Sequence, residues 1–319
     1  MNNYGIDIWA DDNFIIEDAE VKLNHLSKPS LLEITNEIRS SGLRGPIILR
    51  FPHLIKKQIE TLYSTFNRSI KEVKYRGDFK AVFPLKVNQY PQVVDAISTH
   101  GKAFNYGLEA GSKAELILAM SQTPDNSPIT VNGFKDTEMI TLGFIAAQMG
   151  HDITLTIEGI AELESIIEVS KTCKLKTPSI GIRLRLHSSG SGIWAKSGGS
   201  DSKFGLSATE LLEAISLLRE NELLDAFHMV HFHIGSQMED ITPLKRALRE
   251  AGNIYAELKK MGADSLHAIN IGGGLSVEYA QHPGDRLCTY TIEEFSNDVV
   301  FLLGGIMNKK GVEHPDIFT

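Results

Sequence analysis

Eight apolar, β-rich runs begin near Ala81, Phe104, Ile129, Ile153, Ser179, Met229, Ala268 and Asp316, and most intervals between them carry helical spacing of apolar residues. The first four intervals are roughly 22 to 27 residues, close to the minimum for a strand, a helix and two short loops. Helix starts are marked as well. Pro91 suits a first helical turn, and Ser112 with Glu115, Ser207 with Glu210 and Thr291 with Glu294 have capping-box spacing. Strict β/α alternation restricts the chain to a parallel sheet covered by helices. A count of eight β units favours a closed α/β barrel of the (β/α)8 type over an open doubly wound sheet.

Composition narrows the function classes. The 319 residues are 42% hydrophobic with 11 prolines, enough for a substantial core. A net charge of −8 and the absence of a long Lys/Arg run argue against nucleic acid as a partner, and leave room for a cationic small molecule. Cys173 and Cys288 form no disulfide framework and no zinc spacing. No apolar run approaches ~20 residues, which argues against a membrane span, and the start MNNYGIDIWADDN lacks a signal peptide's basic and apolar regions, so the expected location is the cytoplasm. Residues 1–45 are poorly patterned, with turn-formers at Asp11 to Asn13 and a helix expected from Ser30 to about Ser40, broken by Gly42 and Gly45. PIILRFP, from Pro46, reads as a strand ended by Pro52, and Leu54 to Lys71 as a helix.

In a barrel of this kind, chemistry gathers where strands exit at their carboxyl ends. The first exit, in AVFPLKVNQYPQ, presents Lys86, either a lysine that snorkels to solvent or an amine made nucleophilic by a dry or cationic site. The second, GLEAGSKAEL, leaves Glu109 without a structural task. The fifth, GIRLRLHSSGSG, alternates Arg183 and Arg185 onto one face, where they need anionic partners; Glu109 is one candidate. From His187 to Phe204, Gly190, Gly192, Gly198 and Gly199 surround Trp194, the composition of a flexible loop or of a lid over a substrate. The sixth, MVHFHIGSQ, puts His231 and His233 on one face; no acidic or cysteine ligand lies nearby in sequence, so His233, just before Gly235 and Ser236, suits a flat ligand better than a metal. The seventh, AINIGGGLSVEY, has Gly272, Gly273 and Gly274 after a strand, where backbone N–H groups can approach a phosphate. An amine, a stacking histidine, a phosphate cradle and inward arginines together match the needs of pyridoxal phosphate.

The wording FPLKVNQ, GLEAGSKAEL, VNGFKD, SKFGL, HFHIGSQM and IGGGLSVEY resembles the fold type III pyridoxal-phosphate decarboxylases, from about Ile47 to Thr319, and within them favours the arginine-decarboxylating branch. The resemblance implies an alanine racemase-like (β/α)8 barrel over 51–319, with residues 1–50 contributing to a separate β-domain. It implies Lys86 as the Schiff-base lysine and His233 as the imidazole stacked on the cofactor ring. It gives Ser236 and Gly272 to Gly274 phosphate contacts, and Glu109 and Arg183 places in the pocket wall. Substrate binding is associated with the stretch Ile269, Asn270, Ile271, Gly272, Gly273, Gly274, Leu275, Ser276, Val277, Glu278 and Tyr279.

The implied activity is decarboxylation of L-arginine to agmatine and CO2 for polyamine synthesis, by a homo-oligomer that also uses magnesium, whose ligands no spacing here reveals. Decarboxylation of ornithine, lysine or diaminopimelate, or a non-catalytic pyridoxal-phosphate-binding regulator, remain alternatives. The chain ends at Ile317-Phe318-Thr319, where the family continues into a Glu-x-Gly-Arg motif and a β-domain, so a partial chain is expected.

Overall fold

The structure, a computed structural model, describes residues 5–10, 12–188, 203–277 and 288–319. Its chain opens with a short helix α1 (Ile6–Trp9) and an antiparallel hairpin, β1 (Phe14–Glu17) against β2 (Glu20–Leu23). The hairpin turn is Asp18–Ala19, both at positive φ (55° and 62°), the primed turn geometry that usually calls for Asn or Gly. That atypical turn pair is why the alternation around it was unreadable. Helix α2 (Leu31–Ser40) follows, its first turn closed by a capping box of Ser30 and Glu33.

Residues 46–51 correct one expectation, because PIILRF forms no strand. No neighbouring strand among the described residues exchanges hydrogen bonds with it, Ile48 is 75% exposed, and the Arg50 guanidinium lies 4.3 Å over the Tyr90 ring.

From helix α3 (His53–Val73) onward the expected alternation appears. Two short strands, β3 (Phe79–Lys80) and β4 (Val82–Pro84), flank Ala81. They are followed by α4 (Pro91–Gly101), β5 (Gly107–Ala110), α5 (Lys113–Gln122), β6 (Pro128–Val131), α6 (Thr137–Gln148), β7 (Asp152–Ile157), α7 (Ile160–Thr172) and β8 (Ser179–Arg183). Then come α8 (Ala208–Glu220), β9 (Phe227–His231), α9 (Thr242–Lys260), β10 (Ala268–Asn270), α10 (Ile292–Lys310) and β11 (Asp316–Phe318). All pairings in this second sheet are parallel, in the order β3-β11-β10-β9-β8-β7-β6-β5-β4. Since β3 and β4 are halves of one stretch, the ends of that order meet. Val82 N–H donates to Thr319 O at 2.9 Å and Gly107 N–H to Ala81 O at 2.9 Å, closing an eight-unit (β/α)8 barrel.

Strand alternation sorts the core. Val230, Ile269 and Ile317 join a large cluster with the surrounding helices, whereas Val82, Met229, Ala268 and Phe318 form a separate small cluster filling the barrel interior. The outer ring is closed where α3 meets α10, through Ser69 Oγ donating to Asn297 Oδ1 at 2.6 Å. The capping boxes at Ser207/Glu210 and Thr291/Glu294 are both reciprocal. At Ser112 only half of the box forms: the hydroxyl accepts from Glu115 N–H, but the Glu115 carboxylate turns to Gly111 N–H (2.7 Å) and Gln89 Nε2 (2.6 Å).

Candidate active site

Two positions beyond Met229 and Ala268, on the same strand faces, lie His231 and Asn270, and there the packing changes from apolar to polar. His231 pairs in register with Arg183 on one side and Asn270 on the other. All three therefore share a rim.

Lys86 lies in the turn that ends β4, just after fully buried Leu85, and its side chain is 69% exposed. Its ammonium is 3.5 Å from Glu109 Oε1 on the adjacent β5, and the other Glu109 oxygen accepts from Asn132 Nδ2 at 2.7 Å. An ion pair so open to water adds little stability; it sets the amine beside Glu109 at the ends of β4 and β5.

Arg183 corrects the expected pairing with Glu109. Its Nη1 donates to both oxygens of Glu158, at 3.2 and 3.0 Å, and its guanidinium lies 5.0 Å from the Phe204 ring. Arg185 does not share this environment: it lies past the end of β8 and donates Nε and Nη2 to Gly205 O, with Glu210 at 3.5 Å. Glu158 is almost fully buried and also accepts from Gly133 N–H at 3.0 Å.

His233 is held neutral: burial, followed by the Arg183 and Lys86 charges, lowers its pKa to about 4. Its ring rests against Gly272, where a Cβ would sit 2.7 Å from His233 Nδ1 and 2.7 Å from Phe232 O, at a φ of +70°. Only glycine fits there. Gly274, at φ +117°, would bring a Cβ within 2.5 Å of Gly235 O, while Gly273 faces open space. Ser236 is exposed beside this cradle. The cradle is tied down by Gly272 N–H to Asn270 Oδ1 (2.9 Å), Thr319 Oγ1 to Gly272 O (2.8 Å), Met238 N–H to Gly274 O (3.0 Å) and a reciprocal pair between the Gln237 amide and Val277 backbone (3.0 and 2.8 Å).

Within the expected substrate stretch, Ile269 and Ile271 are buried in the packing with the outer helices, so their side chains do not line the mouth. Asn270 between them does, and Leu275, Ser276 and Val277 continue past the cradle; Glu278 and Tyr279 lie outside the described residues. So do Trp194 and most of the Gly/Ser loop. Among the described residues no group of three or more His, Cys, Asp or Glu is placed to hold a metal ion.

Two acids escaped the sequence reading. Glu158 directly follows β7, DITLTI, and an acid at a strand exit was the available signal. Glu162, one helical turn on, accepts from the backbone N–H groups of Lys135 and Glu158, both at 2.8 Å. Buried His231 is also pushed far toward its neutral form, by burial and then by the surrounding cations, and its Nδ1 has no partner among the described residues.

Residues 56–318 match the family model described as "Pyridoxal-dependent decarboxylase, pyridoxal binding domain". The chain belongs to the pyridoxal-dependent decarboxylase family. Within that family it is 40% identical over 324 residues to a biosynthetic arginine decarboxylase of Citrifermentans bemidjiense, covering 99% of this chain and 51% of that protein. It is 36% identical to the enzyme of the same name from Prochlorococcus marinus, covering 100% and 50%. The crystal structure of the biosynthetic arginine decarboxylase from Campylobacter jejuni superposes with a TM-score of 0.93 at 55% identity, covering 100% of this chain and 51% of that one. A diaminopimelate decarboxylase from Helicobacter pylori, at 20% identity and TM-score 0.67 over 89% of this chain and 64% of that one, shares the fold. The chain thus spans about half the length of the curated relatives it matches.

The residues present fit the family's cofactor. A flat neutral imidazole sits on a glycine that nothing larger could replace, the open backbone at Gly273 leaves room for a phosphate, and an amine stands over the same mouth.

Proposed function

We propose that this chain forms the cofactor-binding barrel of a decarboxylase that converts L-arginine to agmatine and CO2 for polyamine synthesis. The observation that carries the reading is the convergence of Lys86, neutral His233 and the Gly272–Gly274 cradle on one barrel mouth. The relatives' names support arginine as the substrate.

Lys86 would hold the cofactor covalently through Nζ and release it to the substrate's α-amino group; Glu109, 3.5 Å away, is placed to accept hydrogen bonds from that nitrogen. His233 would lie flat on the ring, its low proton affinity keeping it uncharged beside the cations of the mouth. The exposed Ser236 hydroxyl and the backbone N–H groups of Gly273 and Gly274 would take the phosphate. Pyridoxal phosphate, when bound, supplies the conjugated system that accepts the electron pair left on Cα as CO2 departs, before a proton replaces it. The hairpin β1/β2, outside the barrel sheet, supports assigning residues 1–50 to a separate β-rich unit. We extend the reading to a homo-oligomeric whole protein that uses magnesium.

Adding pyridoxal phosphate should produce the absorbance band of a lysine-bound cofactor, and Lys86→Ala should abolish it; a persisting band would remove Lys86 from this role. The full-length protein should release CO2 from arginine in preference to ornithine, lysine or diaminopimelate. Cofactor binding without CO2 release from any of them would instead favour a regulator.

A further inference from the structure

The loop leaving β6, Asn132-Gly133-Phe134-Lys135, has no part in the reading above, yet each of its residues touches a support of the mouth. Asn132 donates to Glu109, the partner of Lys86. Gly133 N–H donates to Glu158, the partner of Arg183. The Phe134 ring lies 5.6 Å from Phe204, which in turn faces the Arg183 guanidinium. Lys135 reaches deeper. Its side chain is 0% exposed, its ammonium is 3.2 Å from Glu162 Oε2 and hydrogen-bonded to Gly133 O, and its own N–H donates to Glu162 Oε1.

Glu162 completes the connection, because its Oε2 also accepts from the N–H of Glu158. One carboxylate therefore straps the loop after β6 to the loop after β7, at the residue that grips Arg183. Two cations, Lys135 and Arg183, face two carboxylates, Glu158 and Glu162, in a nearly water-free cluster that is balanced only when all four are present. Burial lowers the proton affinity of Lys135, while Glu162 and then Glu158 oppose that shift. Removing the Lys135 charge would leave a buried carboxylate unmatched, and Arg183 is the cation able to move toward it. With Glu158 gripping only Nη1, Arg183 has Nε and Nη2 without hydrogen-bond partners among the described residues, a donor pair available to a ligand.

We propose that Lys135 and Glu162 are positioning residues that lock Arg183 in the orientation in which it meets the cofactor. This rests on the reading that Arg183 lines the pyridoxal-phosphate site. A general scaffold role for Lys135 would weaken cofactor binding whether or not Arg183 is present; a positioning role acts only through Arg183.

A double-mutant cycle read by pyridoxal phosphate titration separates the two. Lys135→Met should raise the cofactor's Kd about tenfold with Arg183 present, but by less than about twofold in an Arg183→Ala background, with Lys135→Arg restoring most of the affinity. Equal losses in both backgrounds, or an unchanged Kd with Arg183 present, overturn the proposal. If Lys135→Met does not fold, Glu162→Gln carries the same cycle with the same criteria. No cofactor band in the unsubstituted protein would overturn the cofactor reading and this proposal together, whereas a normal band with additive losses overturns this proposal alone.

Discussion

His233 illustrates how a single residue can be set by its surroundings into one protonation state. An imidazole ordinarily gains a proton near pH 6.5; here burial and two neighbouring cations lower that to about 4, so the folded protein keeps it neutral. The unfolded chain takes up that proton as pH falls through 6.5, and the folded protein does so only near 4. His233 therefore contributes stability above pH 6.5 that is lost progressively down to about pH 4, on the order of 3 kcal/mol. Thermal melts between pH 7 and pH 4 should show a smaller acid-side drop for His233→Asn than for the unsubstituted protein. Identical slopes would mean that the imidazole is not held neutral. The place of His233 at a strand exit before Gly235 and Ser236 was legible in the sequence, but its depressed proton affinity was not, since Arg183 comes from β8 and Lys86 from the end of β4.

Elements were readable in proportion to how local their causes are. Capping is local: Thr291 accepts from Glu294 N–H at 3.1 Å while Glu294 Oε2 accepts from Thr291 N–H at 2.8 Å, and both residues lie within one turn of sequence. Thr291→Ala should cost roughly 1 kcal/mol in denaturant unfolding, and no change in midpoint would show that α10 is held by packing alone. Ser112 was read correctly as a cap, but Glu115 was diverted to Gln89 and Gly111, because a second strand exit offered it unsatisfied donors. The run Pro46 to Phe51 had strand composition and no strand beside it; pairing is a property of two segments. The hairpin failed in the opposite direction, its pairing being real and its turn residues uncharacteristic.

At the scale of the whole molecule, closure of the sheet depends on the meeting of its first and last strands around Ala81, with Phe318 filling the interior against Val82, Met229 and Ala268. Phe318→Ala should open that interior and cost about 3 to 5 kcal/mol in equilibrium unfolding, and a loss under about 1 kcal/mol would show that the barrel closes without it. The sequence by itself determined the number and order of the β/α units, the helix caps and the placement of Lys86, His233 and the three glycines at strand exits, because periodicity, caps and glycine runs are encoded within a few neighbouring residues. Only the tertiary structure decided which charges meet. Arg183 turned to Glu158 and left Glu109 to Lys86 and Asn132, and Lys135 was drawn inside against Glu162. Those choices depend on which strand exits become neighbours when the sheet curls shut, and on the cost of leaving any buried charge without a partner.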